Sequence, residues 1–146
     1  MFIPNNVFER TIGKLAALNR QVFNRQLALF YADHDRNLRE ALELAEKEIE
    51  VRKDVFGYDA LAWVLYKNDR YREAAGAIEA ALRLGTRDAS LVYNAGMIYT
   101  GLGDEGRAMT LLAEALTINP NFNLLQARIA RSTLARIAAA ALIRHL

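Results

Sequence analysis

Side chains able to do chemistry are sparse and scattered in this sequence of 146 residues. Cysteine is absent, which excludes disulfides, thiolate metal sites and cysteine nucleophiles. The two histidines, His34 and His145, stand far apart along the chain. His34 lies between Asp33 and Asp35, but a metal site needs further ligands nearby and the sequence supplies none. It reads as a loop histidine in the polar stretch ADHDRN. Seventeen acidic residues make close carboxylate pairs unavoidable. In ELAEKEIEVRKD, however, Glu43 with Lys47 and Glu48 with Arg52 are i,i+4 pairs of a solvated helix face. Gly-Leu-Gly-Asp at 101–104 lacks the preceding strand and the longer glycine pattern of a phosphate loop. The expectation is a protein that is not an enzyme, with no catalytic residue, metal or cofactor.

Recognition through a surface is the remaining chemistry, and it depends on the elements that would present one. With 53% hydrophobic and 25% charged residues, the chain suits one ordinary domain with a buried core. Two Pro and eight Gly do not suggest a fold dominated by loops. No basic region followed by an apolar stretch opens the sequence, so a secretory leader is not expected. The apolar run 137–143 is far short of the roughly 20 residues that span a bilayer. A cytoplasmic location without a membrane span is the expectation.

The chain repeats itself every 34 residues. That step places Leu27 on Leu61 and Ala95, Ala28 on Ala62 and Gly96, and Tyr31 on Leu65 and Tyr99. A second set follows in each unit: Ala74 with Ala108, Ile78 with Leu112, Ala81 with Ala115 and Leu82 with Leu116. The equivalent alanine of the first unit is Ala41, one residue late, and the slip falls in a polar turn. Spacings of three and four fit helices of 3.6 residues per turn, and alternating strands do not fit. Each unit therefore holds two helices joined by a short reversal such as KNDR or GLGD. Asp69 and Asp104 are expected to cap the helices that follow, Asn37 with Glu40 has the spacing of a capping box, and Asn121 is expected to cap the last helix. The small residues at 28, 62, 96 and at 41, 74, 108 allow close helix approach.

This pattern resembles the tetratricopeptide repeat (TPR) family. The third unit matches it best, through Ala95, Gly96, Tyr99, Ala108, Leu112, Ala115 and Pro120. The second carries Leu61, Ala62, Leu65, Ala74, Ile78 and Ala81, with Thr86 in place of the proline. The first departs more, having Glu48 where the later alanine belongs and Lys53 in place of proline. The resemblance implies an all-α fold: a right-handed α-solenoid of antiparallel helix pairs, about eight helices in all. It divides the single domain 1–146 into a capping helix at 1–20, repeats at 21–54, 55–88 and 89–122, and a C-terminal cap or partial repeat at 123–146. Phe8, Ile12, Leu15, Ala16 and Leu18 resemble the second helix of a preceding half-unit.

In TPR-like folds the concave side is lined mainly by first helices, through positions outside the packing pair. The resemblance thus implies a groove centred on Trp63, Tyr66, Tyr93 and Met97, extended by Phe56, Leu29, Asn94 and Lys67. Large rigid aromatics and adaptable Met suit recognition, and an Asn amide suits a ligand backbone. The Lys, Asn and Arg clamp that some family members place on a partner's carboxylates is matched poorly. Asn94 fits one clamp position, but Asp59 and Tyr93 stand where a cation or amide is wanted, and Arg25 is alone in the first unit. The implied partner is a peptide or protein segment of apolar or amphipathic character, and the implied role is that of an adaptor or scaffold.

Charge is unevenly spread. Residues 21–120 carry twelve basic and sixteen acidic side chains, whereas 121–146 carry Arg128, Arg131, Arg136 and Arg144 and no acid. Without a sustained basic groove or aromatic–basic interleaving, nucleic acid is not the expected partner. The alternative role is a structural module, self-associating through the Ala-rich stretch 130–143 and part of a longer repeat protein.

Overall fold

The computed structural model describes residues 6–85 and 87–146, with side chains before Phe23 limited to Val7, Arg10, Thr11 and Lys14. Its described helices are α1 (Asn6–Asp33), α2 (Leu38–Val51), α3 (Val55–Lys67), α4 (Tyr71–Leu84), α5 (Ala89–Leu102), α6 (Glu105–Ile118) and α7 (Leu124–Arg144). The pairs α1–α2, α3–α4 and α5–α6 pack as hairpins. The first helices α1, α3, α5 and α7 also pack in succession as one layer, and α2, α4 and α6 cover its other side. Adjacent second helices such as α4 and α6 do not pack on one another.

Among the described residues the helices number seven where about eight were expected, because α1 runs unbroken across the expected boundary at 20–21. Asn19, Arg20 and Gln21 offer neither Gly nor Pro, so nothing there interrupts the backbone ladder. The apolar set Phe8, Ile12, Leu15, Ala16 and Leu18 lies outside the described side chains. The C-terminal segment is likewise one helix, with Ala127, Ala130, Thr133 and Ile137 as its buried stripe.

The small residues do what their spacing implies. Ala28, Ala62, Ala41, Ala74 and Ala108 are completely buried. At Gly96 a Cβ would lie 2.7 Å from both Cγ and Cδ2 of Leu112, so only glycine lets α5 approach α6 this closely. Helices in the middle of the array are enclosed on several sides. Nine residues of α5 are buried, from Ala89 to Tyr99, which explains a composition apolar all round and not striped.

The turns correct several capping expectations. Asp35, Asp69 and Gly103, again 34 residues apart, all adopt positive φ, at 52°, 61° and 79°. Asp69 therefore forms the bend, and Arg70 holds the cap position of α4 without a side-chain bond. The Asp69 carboxylate accepts a hydrogen bond from the Tyr71 hydroxyl instead, at 2.8 Å. Asn37 is also left-handed and makes no capping bond, so the expected capping box is not formed. Asp104 does cap α6, through the Arg107 amide. Asn123, not Asn121, caps α7, its Oδ1 accepting from the Leu125 and Gln126 amides at 3.0 Å. Asp54 and Asp88, a further pair 34 residues apart, cap α3 and α5.

Candidate recognition groove

The groove is built where the ends of the first helices meet. It contains an aromatic series drawn from α4, α3, α5 and the segment before α7. Tyr71 at the start of α4 contacts Tyr66, with ring centroids 5.7 Å apart, and Tyr66 stacks on Trp63 at 4.9 Å. Trp63 then meets Tyr93 of α5 at 6.1 Å, and Tyr93 meets Phe122, just before α7, at 5.5 Å. Helical spacing aligns Trp63 with Tyr66 on one face of α3, and the 30-residue separation of Trp63 from Tyr93 carries that face to the next unit.

Polar contacts fix the orientation of Trp63. The Trp63 indole N–H donates to Asp33 Oδ1 at 2.9 Å, tying α3 to the end of α1. Lys67 Nζ lies 5.9 Å from the centre of the Trp63 ring and pairs with Asp35 Oδ1 at 2.8 Å. His34 turns back on its own helix, with Nδ1 at 2.8 Å from the Phe30 carbonyl. Burial pushes the Tyr66 and Tyr93 hydroxyls above their ordinary range, so both stay neutral phenols at physiological pH.

Beside this series is a cavity of about 260 Å³. Asp33 and His34 at the end of α1, Trp63 and Lys67 of α3 and Tyr93 of α5 line it. The first turn and a half of α7 closes it through Asn123, Leu125, Gln126 and Ile129. One cavity thus touches all four first helices or their ends.

Of the residues expected at the groove, Trp63, Lys67 and Tyr93 line this cavity. Tyr66 is half-buried behind Trp63. Met97 lies between α5 and α7, its sulfur 4.0 Å from the Thr133 hydroxyl. Asn94 is buried, its amide N–H donating to Asp59 Oδ1 at 2.9 Å and its own Oδ1 enclosed, so the amide is engaged inside the fold. Burial raises the Asp59 carboxyl to about 6, against the opposing pull of that hydrogen bond. Phe56 is 64% exposed near the other end of α3, with the Arg25 guanidinium 5.5 Å from its ring centre. Leu29 is half-buried in the packing of α1. The contributions of His34 and of the α7 turn were not foreseen. The signal for the latter was Asn123, whose capping role sets where α7 begins.

Among the described residues no group of three or more His, Cys, Asp or Glu side chains could hold a metal ion. Among them, too, no helix is long and apolar enough to cross a membrane.

Stacked helix pairs with a cavity across their first helices define the molecule as an α-solenoid of the repeat-protein class. A family model described as tetratricopeptide repeat matches residues 89–122, the third unit. The solved structures give the same fold. The second TPR domain of the human RPAP3 protein, determined with the HSP70 peptide SGPTIEEVD, is 18% identical, with a TM-score of 0.64 over 82% of this chain and 95% of that one. YrrB, described as a TPR protein with an unusual peptide-binding site, is 23% identical, with a TM-score of 0.65 over 88% and 65%. MamA is 20% identical, with a TM-score of 0.69 over 99% and 89%. The chain has the tetratricopeptide repeat fold. No curated protein sequence matches it.

Proposed function

We propose that this protein is a peptide- or protein-binding adaptor whose ligand enters the cavity above Trp63 and Tyr93. The observation that carries the reading is one cavity bordered by all four first helices or their ends and lined by Trp63 and Tyr93, with the Trp63 indole held by Asp33. The RPAP3 domain with its bound peptide and the peptide-binding site of YrrB support the same use of this fold. The ligand is an apolar or amphipathic segment. Leu125 offers it an apolar edge at 63% exposure, whereas Lys67 is already paired with Asp35 and Asp33 adds negative charge. A carboxylate-terminated peptide gains little from such a site.

Trp63 is the only tryptophan, so its emission reports on the cavity directly. Amphipathic peptides selected on an array are expected to shift that emission saturably. Leu125→Glu is expected to weaken binding by about tenfold or more, equivalent to about 1.4 kcal/mol, without changing the melting temperature. Binding that leaves Trp63 emission unchanged, or that ignores the Leu125 variant, would remove the ligand from this cavity.

Self-association through α7 is favoured by a separate observation, the exposure of Leu142 and Ile143 near its end. Light scattering on the same samples distinguishes this reading, since a strict monomer at every concentration leaves no place for it.

A further inference from the structure

We propose a second binding site, on the opposite layer of the solenoid, for an acidic peptide segment that sets its carboxylates on Arg83 and Arg107. The site is the cleft left between α4 and α6, which do not pack on one another. It encloses about 500 Å³, roughly twice the volume of the groove cavity. Leu82, Leu111 and the Tyr99 ring give it apolar lining.

Its charge runs against its surroundings. Three arginines and one glutamate line it, although acids outnumber bases sixteen to twelve across residues 21–120. Two of the guanidiniums are already held in place. Arg107 donates to the Tyr99 hydroxyl at 3.0 Å and lies 5.1 Å from the centre of that ring. The same hydroxyl donates to Glu79 at 2.6 Å, so Glu79 is engaged by Tyr99. Arg87 grips Glu114 through two bonds, of 2.7 and 2.8 Å. Arg83 has no ion pair among the described residues and stands exposed on the wall. A planar guanidinium fork matches a carboxylate, and donors fixed beforehand lose little entropy on binding.

Gly106 adds no bulk to the lining of the cleft. A Cβ there would meet nothing closer than Asp104 Oδ1 at 3.9 Å, so neither packing nor a positive φ calls for glycine. A larger side chain at this lining position would occupy the cleft. A peptide suits the site better than a nucleic acid, because Glu79, Glu114 and the acidic middle of the chain repel a dense polyanion. Sparse carboxylates flanking an apolar side chain fit both the arginines and the apolar lining.

The probe is a fluorescein-labelled peptide of alternating Glu and Leu, followed by anisotropy on the intact chain. Saturable binding that weakens with added salt is expected, with a loss of about tenfold or more in Arg83→Glu. Arg83 makes no side-chain hydrogen bond or ion pair among the described residues, and an unchanged melting curve would confirm that this variant is intact. Gly106→Leu should abolish binding by filling the cleft, while Leu125→Glu, in the other layer, should leave it unaltered. Absence of saturable binding would overturn the proposal, as would equal binding by Arg83→Glu or by a Lys–Leu peptide. Tighter binding of a single-stranded oligonucleotide of equal charge would overturn the choice of partner.

Discussion

Truncation of Tyr93 to alanine is expected to lower the free energy of unfolding by about 3–5 kcal/mol, the range for removal of a large buried aromatic. The ring is 1% exposed and lies between Trp63 on α3 and Phe122 before α7. Its loss opens a void at the meeting point of three elements. Trp63 cannot move to fill it while its indole is bonded to Asp33, and Phe122 would lose the surface it leans on. Tyr93→Phe should cost less than about 1 kcal/mol, since it keeps the ring and its packing. Urea unfolding followed by Trp63 emission separates the two: the alanine variant shifts the midpoint strongly, the phenylalanine variant barely. A loss below about 1 kcal/mol for Tyr93→Ala would mean that the ring is dispensable filling and not part of the core.

The second large effect concerns the first unit, where Glu48 replaces the alanine found at Ala81 and Ala115. Glu48 is 2% exposed, and its carboxylate stands 3.8 Å from the Arg25 guanidinium, an ion pair too long for a hydrogen bond. Arg25→Met is expected to destabilise the fold by about 3–5 kcal/mol near neutral pH, because it strands a buried carboxylate. Desolvation already holds the Glu48 carboxyl above its ordinary value of 4.5, with Arg25 opposing it, so loss of Arg25 raises it further. A raised folded-state pKa means that stability is retained below about 4.5 and lost as pH rises through the folded value. The cost of Arg25→Met should therefore be small in acid and grow towards neutrality. Adding Glu48→Leu should restore wild-type stability or exceed it at all pH values. Thermal unfolding across the pH range checks both; a cost independent of pH would place the effect in lost packing against Phe56 and not in charge.

Glu48 also illustrates how much of this molecule was legible in the sequence. The 34-residue step identified small residues at 28, 62, 96 and at 41, 74, 108, and all six are buried, because close approach leaves no room for substitution. The departure at position 48 was visible too, but the solvated Glu48–Arg52 pair expected from helical spacing is not what forms: Glu48 is buried against Arg25, and Arg52 pairs with Asp54. The partner of Glu48 was not visible, since Arg25 is on another helix and no local rule links the two. Helix ends were read less well. An aspartate just before a helix is both a good cap and one of the few residues that tolerates a left-handed bend, and at Asp69 the bend prevailed. The continuity of α1 follows from the lack of any breaker near residue 20, which counting back by repeats obscured.

Site residues were harder for a physical reason. A large side chain on a first helix lines a groove or fills a layer according to what stands opposite it. Phe122 and the start of α7 decide this for Tyr93, and the Asp59 carboxylate decides it for Asn94. The cleft between α4 and α6 left no trace in the sequence, because its arginines come from separate segments and acquire meaning only when two helices fail to meet.

The position of α7 has a thermodynamic consequence. In a linear array each helix is held by its neighbours alone, so opening from an end breaks one junction where opening in the middle breaks two. Helix α5 is wrapped by α3, α4, α6 and α7, whereas α7 rests on α6 and briefly on α5, with an Arg144–Glu105 pair tethering its far end. The same helix closes the groove cavity through Asn123, Leu125, Gln126 and Ile129. Occupancy of the groove and closure of the α7 junction are therefore one linked equilibrium. A ligand seated there acts as the missing next layer of the solenoid, and its affinity contains the free energy of keeping that last helix in place.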